Sequence, residues 1–233
     1  MQIFERNSFD LRVAVSRFAH PDAALQIVLL PMIHIGSAAF YEKISEHLQR
    51  SDAIIYEGMA SRKANILFRV QRILACFKND GLVHQSEGID LHPLRDRLIH
   101  GDVSMATFDQ EWRSMPLWVR GLLQAVLPFA AIYLAMTGTK QAMARMLAMD
   151  DLPSREEVLD DSLISSEVDR IVLDVRDTKL LDSINRCFHE RRTEPSTVAI
   201  LYGAAHMRAV IRFITEKLGY RAVSSEWVIV FEL

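Results

Sequence analysis

The sequence predicts an α/β protein: a central mixed β-sheet flanked by helices, built from both chain ends, with a helical insertion subdomain between them. Short apolar runs rich in Val, Ile and Leu at 25–30, 53–56 and 197–202 have the length and composition of buried strands. A helix-period pattern follows each run, and a strand–helix–strand order implies a right-handed crossover and a parallel pair. From 61 to 160, helical spacing and turn punctuation replace the strand signals. Residues 1–60 and 161–233 are therefore expected to form the core, and 61–160 a helical insertion.

In chain order, residues 11–18 alternate apolar and polar, the period-two pattern of a half-exposed strand. His20-Pro21-Asp22 is turn sequence, so an antiparallel hairpin with the 25–33 run opens the chain. Phe40, Ile44 and Leu48 recur at helical spacing over 38–50, and Ser51-Asp52 leads into a strand at 52–57. In 62–78, Ile66, Val70, Ile73 and Phe77 contribute to a broad helical stripe. Residues 79–115 read as irregular, with short helices around 92–99 and 104–114, and Pro116 restarts a helix. Met143, Met146 and Met149 suit core filler or a partner surface, and Ser154-Arg155-Glu156-Glu157 resembles a capping box. A long helix over 166–190 has Val175, Leu181, Ile184 and Phe188 along one side. The strand ending at Gly203, a helix over 206–218, a Gly219 C-cap and two short strands at 220–223 and 227–233 close the chain.

A net charge of −3 and the absence of a long basic run exclude a nucleic-acid surface. The two cysteines, Cys76 and Cys187, form neither a disulfide framework nor a zinc pair and suit a reducing compartment. The first residues lack a charged-then-apolar signal architecture, so a cytoplasmic location is expected. The uncharged stretch 121–139 approaches bilayer-spanning length, but its strictly apolar part is short and contains Pro128. Burial is the first expectation there; membrane contact through 117–138 and a homodimer interface stay open.

Three strands each deliver one metal-competent side chain at a carboxyl end: His34, Glu57 and His206. Parallel strands would bring all three to one sheet edge, where open α/β sheets bind ligands. Gly203 would let a ligand approach the backbone closely. Two imidazoles and a carboxylate make the ligand set of a hydrolytic divalent-metal site, with Zn, Mn or Co as candidate ions. Glu57 could instead act as general base, and Arg176 could stabilise developing negative charge or pair with Asp177. His84, Glu87, Asp90 and His92 share no regular spacing and read as a loop; His20, His47, His100 and His189 read as solvated. No nucleophile elbow, dinucleotide fingerprint or P-loop motif occurs.

The strand ending in His34, the segment Ser51-Asp52-Ala53-Ile54-Ile55-Tyr56-Glu57, Arg176-Asp177 and Gly203-Ala204-Ala205-His206 together resemble the TraB/PrgY/GumN family. That family includes the Tiki metalloproteases and is distantly similar to erythromycin esterase and ChaN-like proteins. Gly81-Leu82-Val83-His84-Gln85 looks like a further family element, while Pro31 and Ser51 depart from the usual Gly and Pro. The resemblance implies a helix-flanked sheet, a helical insertion, here 61–160, covering the pocket, and metal-dependent hydrolysis of a peptide or small-molecule amide or ester. The ChaN-like side of the family implies an alternative, a non-catalytic ligand- or haem-binding protein.

Overall fold

The alternating segment and the apolar run after it form the expected hairpin. In the computed structural model, which describes residues 1–58, 81–137, 140 and 173–233, β2 (Asp10–His20) pairs antiparallel with β3 (Ala23–Met32). β1 (Phe4–Arg6) runs antiparallel to the start of β2. The predicted helix at 62–78, the methionine stripe and the capping-box segment lie outside the described residues.

The seven-stranded mixed sheet has the order β1, β2, β3, β8 (Ser196–Gly203), β5 (Ala53–Tyr56) and β7 (Leu98–His100), with β9 (Arg221–Glu232) also paired to β2. β8 (Ser196–Gly203) lies parallel to β3, from Leu25↔Ser196 to Met32↔Gly203, and parallel to β5 (Ala53–Tyr56) on its other side. β3 and β5 are thus parallel but do not touch; the strand from the far end of the chain is inserted between them. Val198, Ala199, Ile200, Leu201 and Tyr202 are buried, the continuous apolar pattern of a strand covered on both faces. β7 (Leu98–His100) extends the parallel set, pairing Tyr56↔His100.

Two expectations change here. The closing segments 220–223 and 227–233 form one strand, β9 (Arg221–Glu232), antiparallel to β2 from Asp10↔Glu232 to Ala19↔Arg221. Ser224, Ser225 and Glu226 carry the strand through, and the Ser225 hydroxyl meets that of Ser16 at 3.0 Å. Register shifts between Leu11 and Arg12 and between Arg17 and Phe18 absorb the pairing irregularities. The region expected to be irregular also holds structure: β6 (Leu82–His84) pairs with β4 (Ile35–Ser37), and a single turn, α2 (Gln85–Gly88), follows. Three-residue strands are too short for a periodicity to register.

α1 (Ala38–Gln49) starts where the Ser37 hydroxyl accepts the Phe40 N–H at 3.1 Å, and it buries Phe40, Tyr41, Ile44 and Leu48. α5 (Val175–Arg191) buries Arg176, Leu180, Ser183, Ile184, Cys187 and Phe188. These faces and the sheet make one core, in which a fully buried Ile44 or Ile54 contributes about 1.5–3 kcal/mol. A second small cluster, Val103, Phe108, Met115 and Val119, ties α3 (Met105–Ser114) and α4 (Leu117–Thr137) to Val175 at the start of α5. α4 leaves Trp118, Leu122, Val126 and Phe129 exposed. Among the described residues no helix is long and apolar enough to cross a membrane.

Candidate functional site

The parallel strands β3, β8, β5 and β7 all end on one edge, and the register delivers chemistry to it residue by residue. Met32 lies opposite Gly203, and Tyr56 lies opposite both Leu201 and His100. Glu57 therefore emerges immediately after β5, with its N–H donated to the Leu201 carbonyl at 3.0 Å. Asp102 emerges from the parallel neighbour β7, after Gly101 donates its N–H to the Tyr56 carbonyl at 3.1 Å. His206 ends the 3₁₀ turn Ala204–His206, just before α6 (Met207–Arg212).

The centre of the edge is an ion-pair network. Arg176 donates Nε–H to Asp102 Oδ1 at 3.0 Å and Nη2–H to Asp102 Oδ2 at 2.8 Å, a side-on bidentate contact. The same Nη2 donates to Glu57 Oε1. The other Glu57 oxygen accepts the Gly203 N–H at 2.7 Å. The Asp102 side chain is fully buried, and its Oδ1 also accepts the Val103 N–H at 2.7 Å. The Arg176 guanidinium lies 5.5 Å over the Tyr202 ring. Tyr202 is buried beneath the network, its hydroxyl near Asp102 but without a hydrogen bond of standard geometry.

Each imidazole is tethered through Nδ1. His206 Nδ1 meets Asp177 Oδ1 at 2.6 Å; a carboxylate only accepts, so Nδ1 carries the proton and the lone pair of the neutral ring is on Nε2. His34 Nδ1 meets Gln85 Oε1 at 3.1 Å, with the same consequence for its Nε2. The Gln85 N–H binds the His34 carbonyl at 2.8 Å, so backbone and side chain fix this pair together. His206 is buried and packs edge-on to Tyr202, with centroids 4.8 Å apart; His34 is exposed and stacks on His84 at 6.3 Å.

Gly203 shows how tightly the edge is built. A Cβ placed there would stand 3.0 Å from Glu57 Oε2 and 3.3 Å from His206 Cδ2, so both side chains cover the same bare backbone. Burial would push the Glu57 carboxyl up, but the Arg176 charge, then His34 and His206, hold it below the usual carboxylate range. Burial would likewise discharge Arg176, yet Glu57 and Asp102 keep it firmly charged. The His84 ring is pushed down by burial and by the neighbouring His34.

Glu57, Arg176 and His206 thus meet at one edge, and His34 lies within electrostatic reach of Glu57. Arg176 pairs with Asp102 and Glu57, while the adjacent Asp177 serves His206. The signal for its burial was present: Arg176 stands four residues before Leu180 and eight before Ile184, on the stripe that α5 turns inward. Asp102 and Gln85 were the residues without an assigned role. A short apolar run, Leu98-Ile99, ending in His100-Gly101-Asp102 repeats the strand-then-acid pattern of Glu57. Of the histidines expected in solvent, His100 and His189 are exposed. His20 is half-buried between Phe188 and Tyr220, and His47 pairs with Glu226 at 2.6 Å.

Among the described residues no group of three or more His, Cys, Asp or Glu side chains stands assembled to hold a metal ion. At this edge both Glu57 oxygens already have partners, Arg176 and the Gly203 N–H. The donor chemistry nevertheless fits a divalent cation. Two carboxylates, Glu57 and Asp102, share the one guanidinium, and a third, Asp177, is engaged by His206, so the carboxylates outnumber the guanidinium by two beside imidazoles whose neutral rings carry Nε2 lone pairs. Comparison with family models, with curated proteins and with solved structures finds no match to this chain.

Proposed function

We propose that the chain is a metal-dependent hydrolase of amide or ester bonds, of the type the TraB/GumN resemblance implies, working at the carboxyl edge of β3, β8 and β5. The observation that supports it most directly is the tethering of His34 and His206 through Nδ1 in the neighbourhood of an ionised Glu57. An imidazole fixed by an acceptor on one nitrogen presents the other in a set direction and tautomer, the usual arrangement of a metal-ligating histidine. His34 Nε2, His206 Nε2 and Glu57 would hold the ion. A divalent cation bound there supplies a water acidified to a pKa of about 7 and polarises the substrate carbonyl.

The chain's own residues do the rest. Asp177 and Gln85 keep the two rings oriented, and Asp102 keeps Arg176 beside Glu57. Tyr202 closes the floor beneath His206 and excludes water from that side. Bare backbone at Gly203 lets Glu57 and His206 approach it, and each other, closely. The test is metal analysis of the purified protein followed by a fluorogenic peptide and ester panel, with His206→Ala as control. Stoichiometric metal and turnover that the substitution abolishes are expected. Metal or ligand capture without turnover on the whole panel would replace hydrolysis by a binding role.

A further inference from the structure

Arg176 has two anionic partners held in unequal ways. Asp102 takes two hydrogen bonds from it, is fully buried and is itself fixed by the Val103 N–H. Glu57 takes one, from the same Nη2 that Asp102 already engages; its other oxygen accepts the Gly203 N–H at 2.7 Å, and its side chain keeps 15% of its exposure against none for Asp102. The guanidinium position is therefore set by Asp102 and by the Tyr202 face beneath it, independently of Glu57. If Glu57 turns away, Arg176 keeps a two-bond partner in the fully buried Asp102; if Asp102 turned away, Arg176 would keep only the single bond to the partly exposed Glu57. A buried guanidinium deprived of every carboxylate would be strongly unfavourable, so this asymmetry decides which contact opens.

We infer that Arg176 is a built-in counter-cation that occupies Glu57 until a divalent metal ion takes over that carboxylate, and that Asp102 is the positioning residue which keeps Arg176 seated during the exchange. This rests on the proposed metal centre and adds to it a competition: the arginine and the metal ion share one carboxylate. Net charge gives the direction. Removing the guanidinium releases Glu57 and leaves an extra negative charge for the incoming ion. Removing the Asp102 charge leaves Glu57 as the sole carboxylate on Arg176, and the lock tightens. Opposite charges at this separation change a carboxylate's affinity for a cation such as the proton by about 10- to 1000-fold, and a metal ion feels the same field.

The experiment titrates the full-length protein with Co²⁺ alone, followed by calorimetry and by visible absorption of the bound ion, in wild type, Arg176→Gln, Arg176→Lys, Asp102→Asn and His206→Ala. Arg176→Gln is expected to bind at least about 10-fold more tightly, Arg176→Lys close to wild type, and Asp102→Asn at least about 10-fold more weakly. Arg176→Gln that folds only with Co²⁺ present supports the inference as well, since the ion then replaces the guanidinium. If Arg176→Gln does not fold under either condition, Asp102→Asn decides by the direction of its change. Wild-type binding that His206→Ala abolishes, with Arg176→Gln and Asp102→Asn both unchanged, overturns the inference and leaves the metal centre standing. Folded wild type and folded Arg176→Gln that both ignore Co²⁺ remove the metal centre and the inference with it. Binding by Arg176→Gln alone establishes the competition.

Discussion

The two ends of the parallel strands carry similar residue types and use them in opposite ways. At the amino end, His20, His189, Phe188, Arg192 and Lys217 line an open cleft of about 820 Å³. One of its histidines makes a local contact: His20 Nδ1 accepts the Asp22 N–H at 2.9 Å, two residues away. At the carboxyl end the partners come from distant segments: Arg176 with Asp102 and Glu57, and His206 with Asp177. Charges left in water need no partner, while charges taken out of it must have one, so the buried, cross-connected end is where the chain has committed free energy to a site. Histidine count alone does not separate the two ends; the burial of the charged side chains and their pairing with one another do.

The sharpest way to break that contrast is to remove one carboxylate at each end. Asp102→Ala leaves the buried Arg176 guanidinium with Glu57 alone, and urea unfolding should show a loss of about 3–5 kcal/mol. Asp22→Ala at the exposed turn should stay within about 0.5 kcal/mol of wild type. Equal losses would mean that the carboxyl-edge network is no more than surface pairing.

Two glycines sharpen the comparison next. Gly203→Ala drives a methyl against Glu57 Oε2 at 3.0 Å and His206 Cδ2 at 3.3 Å, costing about 1–3 kcal/mol and weakening Co²⁺ binding and any turnover together. Gly219→Ala at the other end also costs about 1–2 kcal/mol, because its φ of +81° suits glycine. Its Co²⁺ affinity should be unchanged, since the new methyl meets His20 rather than the carboxyl edge. Thermal melts and metal titrations on both variants separate a site effect from a backbone effect.

The sheet was legible because β2, β3, β5 and β8 are long enough, and apolar enough, for their period to be read. The meeting of Glu57 and His206 followed from the parallel order alone. What stayed hidden depends on contacts over long sequence separations. Asp102 lies 74 residues before Arg176, after a three-residue strand with no readable period, so nothing local announces the pair. β9 was divided in two because Ser224-Ser225-Glu226 looks like a turn in isolation; pairing along β2 overrides that local preference. The Arg176 partner was hidden for the same reason: its neighbour Asp177 is the local candidate, but the helix turns Arg176 inward with Leu180, Ile184 and Phe188 to meet Asp102 and Glu57 instead.

A smaller effect is expected from the group that orients His206. Asp177→Asn keeps the size of the side chain but no longer obliges Nδ1 to carry the proton, so both tautomers of the ring become accessible. Co²⁺ affinity should fall about 10- to 100-fold, with unfolding free energy changed far less than in Asp102→Ala. Affinity unchanged by this substitution would show that His206 takes its orientation from Tyr202 packing instead.

The smallest expected change belongs to the amino end. Tyr220 donates its hydroxyl to the Leu25 carbonyl at 3.1 Å, and burial pushes its pKa up to about 12. The native state therefore keeps a proton that the unfolded chain releases near pH 10. Tyr220 thus leaves stability intact below pH 10 and erodes it as pH rises toward 12, with a limiting slope of about 1.4 kcal/mol per pH unit. Tyr220→Phe should cost about 1 kcal/mol at neutral pH through the lost hydrogen bond. Between pH 10 and 11 the variant should lose stability less steeply than wild type, without becoming flat, because burial also raises Tyr41 and Tyr202. Urea midpoints at half-unit pH steps read both effects. Identical slopes would place the alkaline sensitivity in the tyrosines nearer the carboxyl edge and leave the amino end with packing alone.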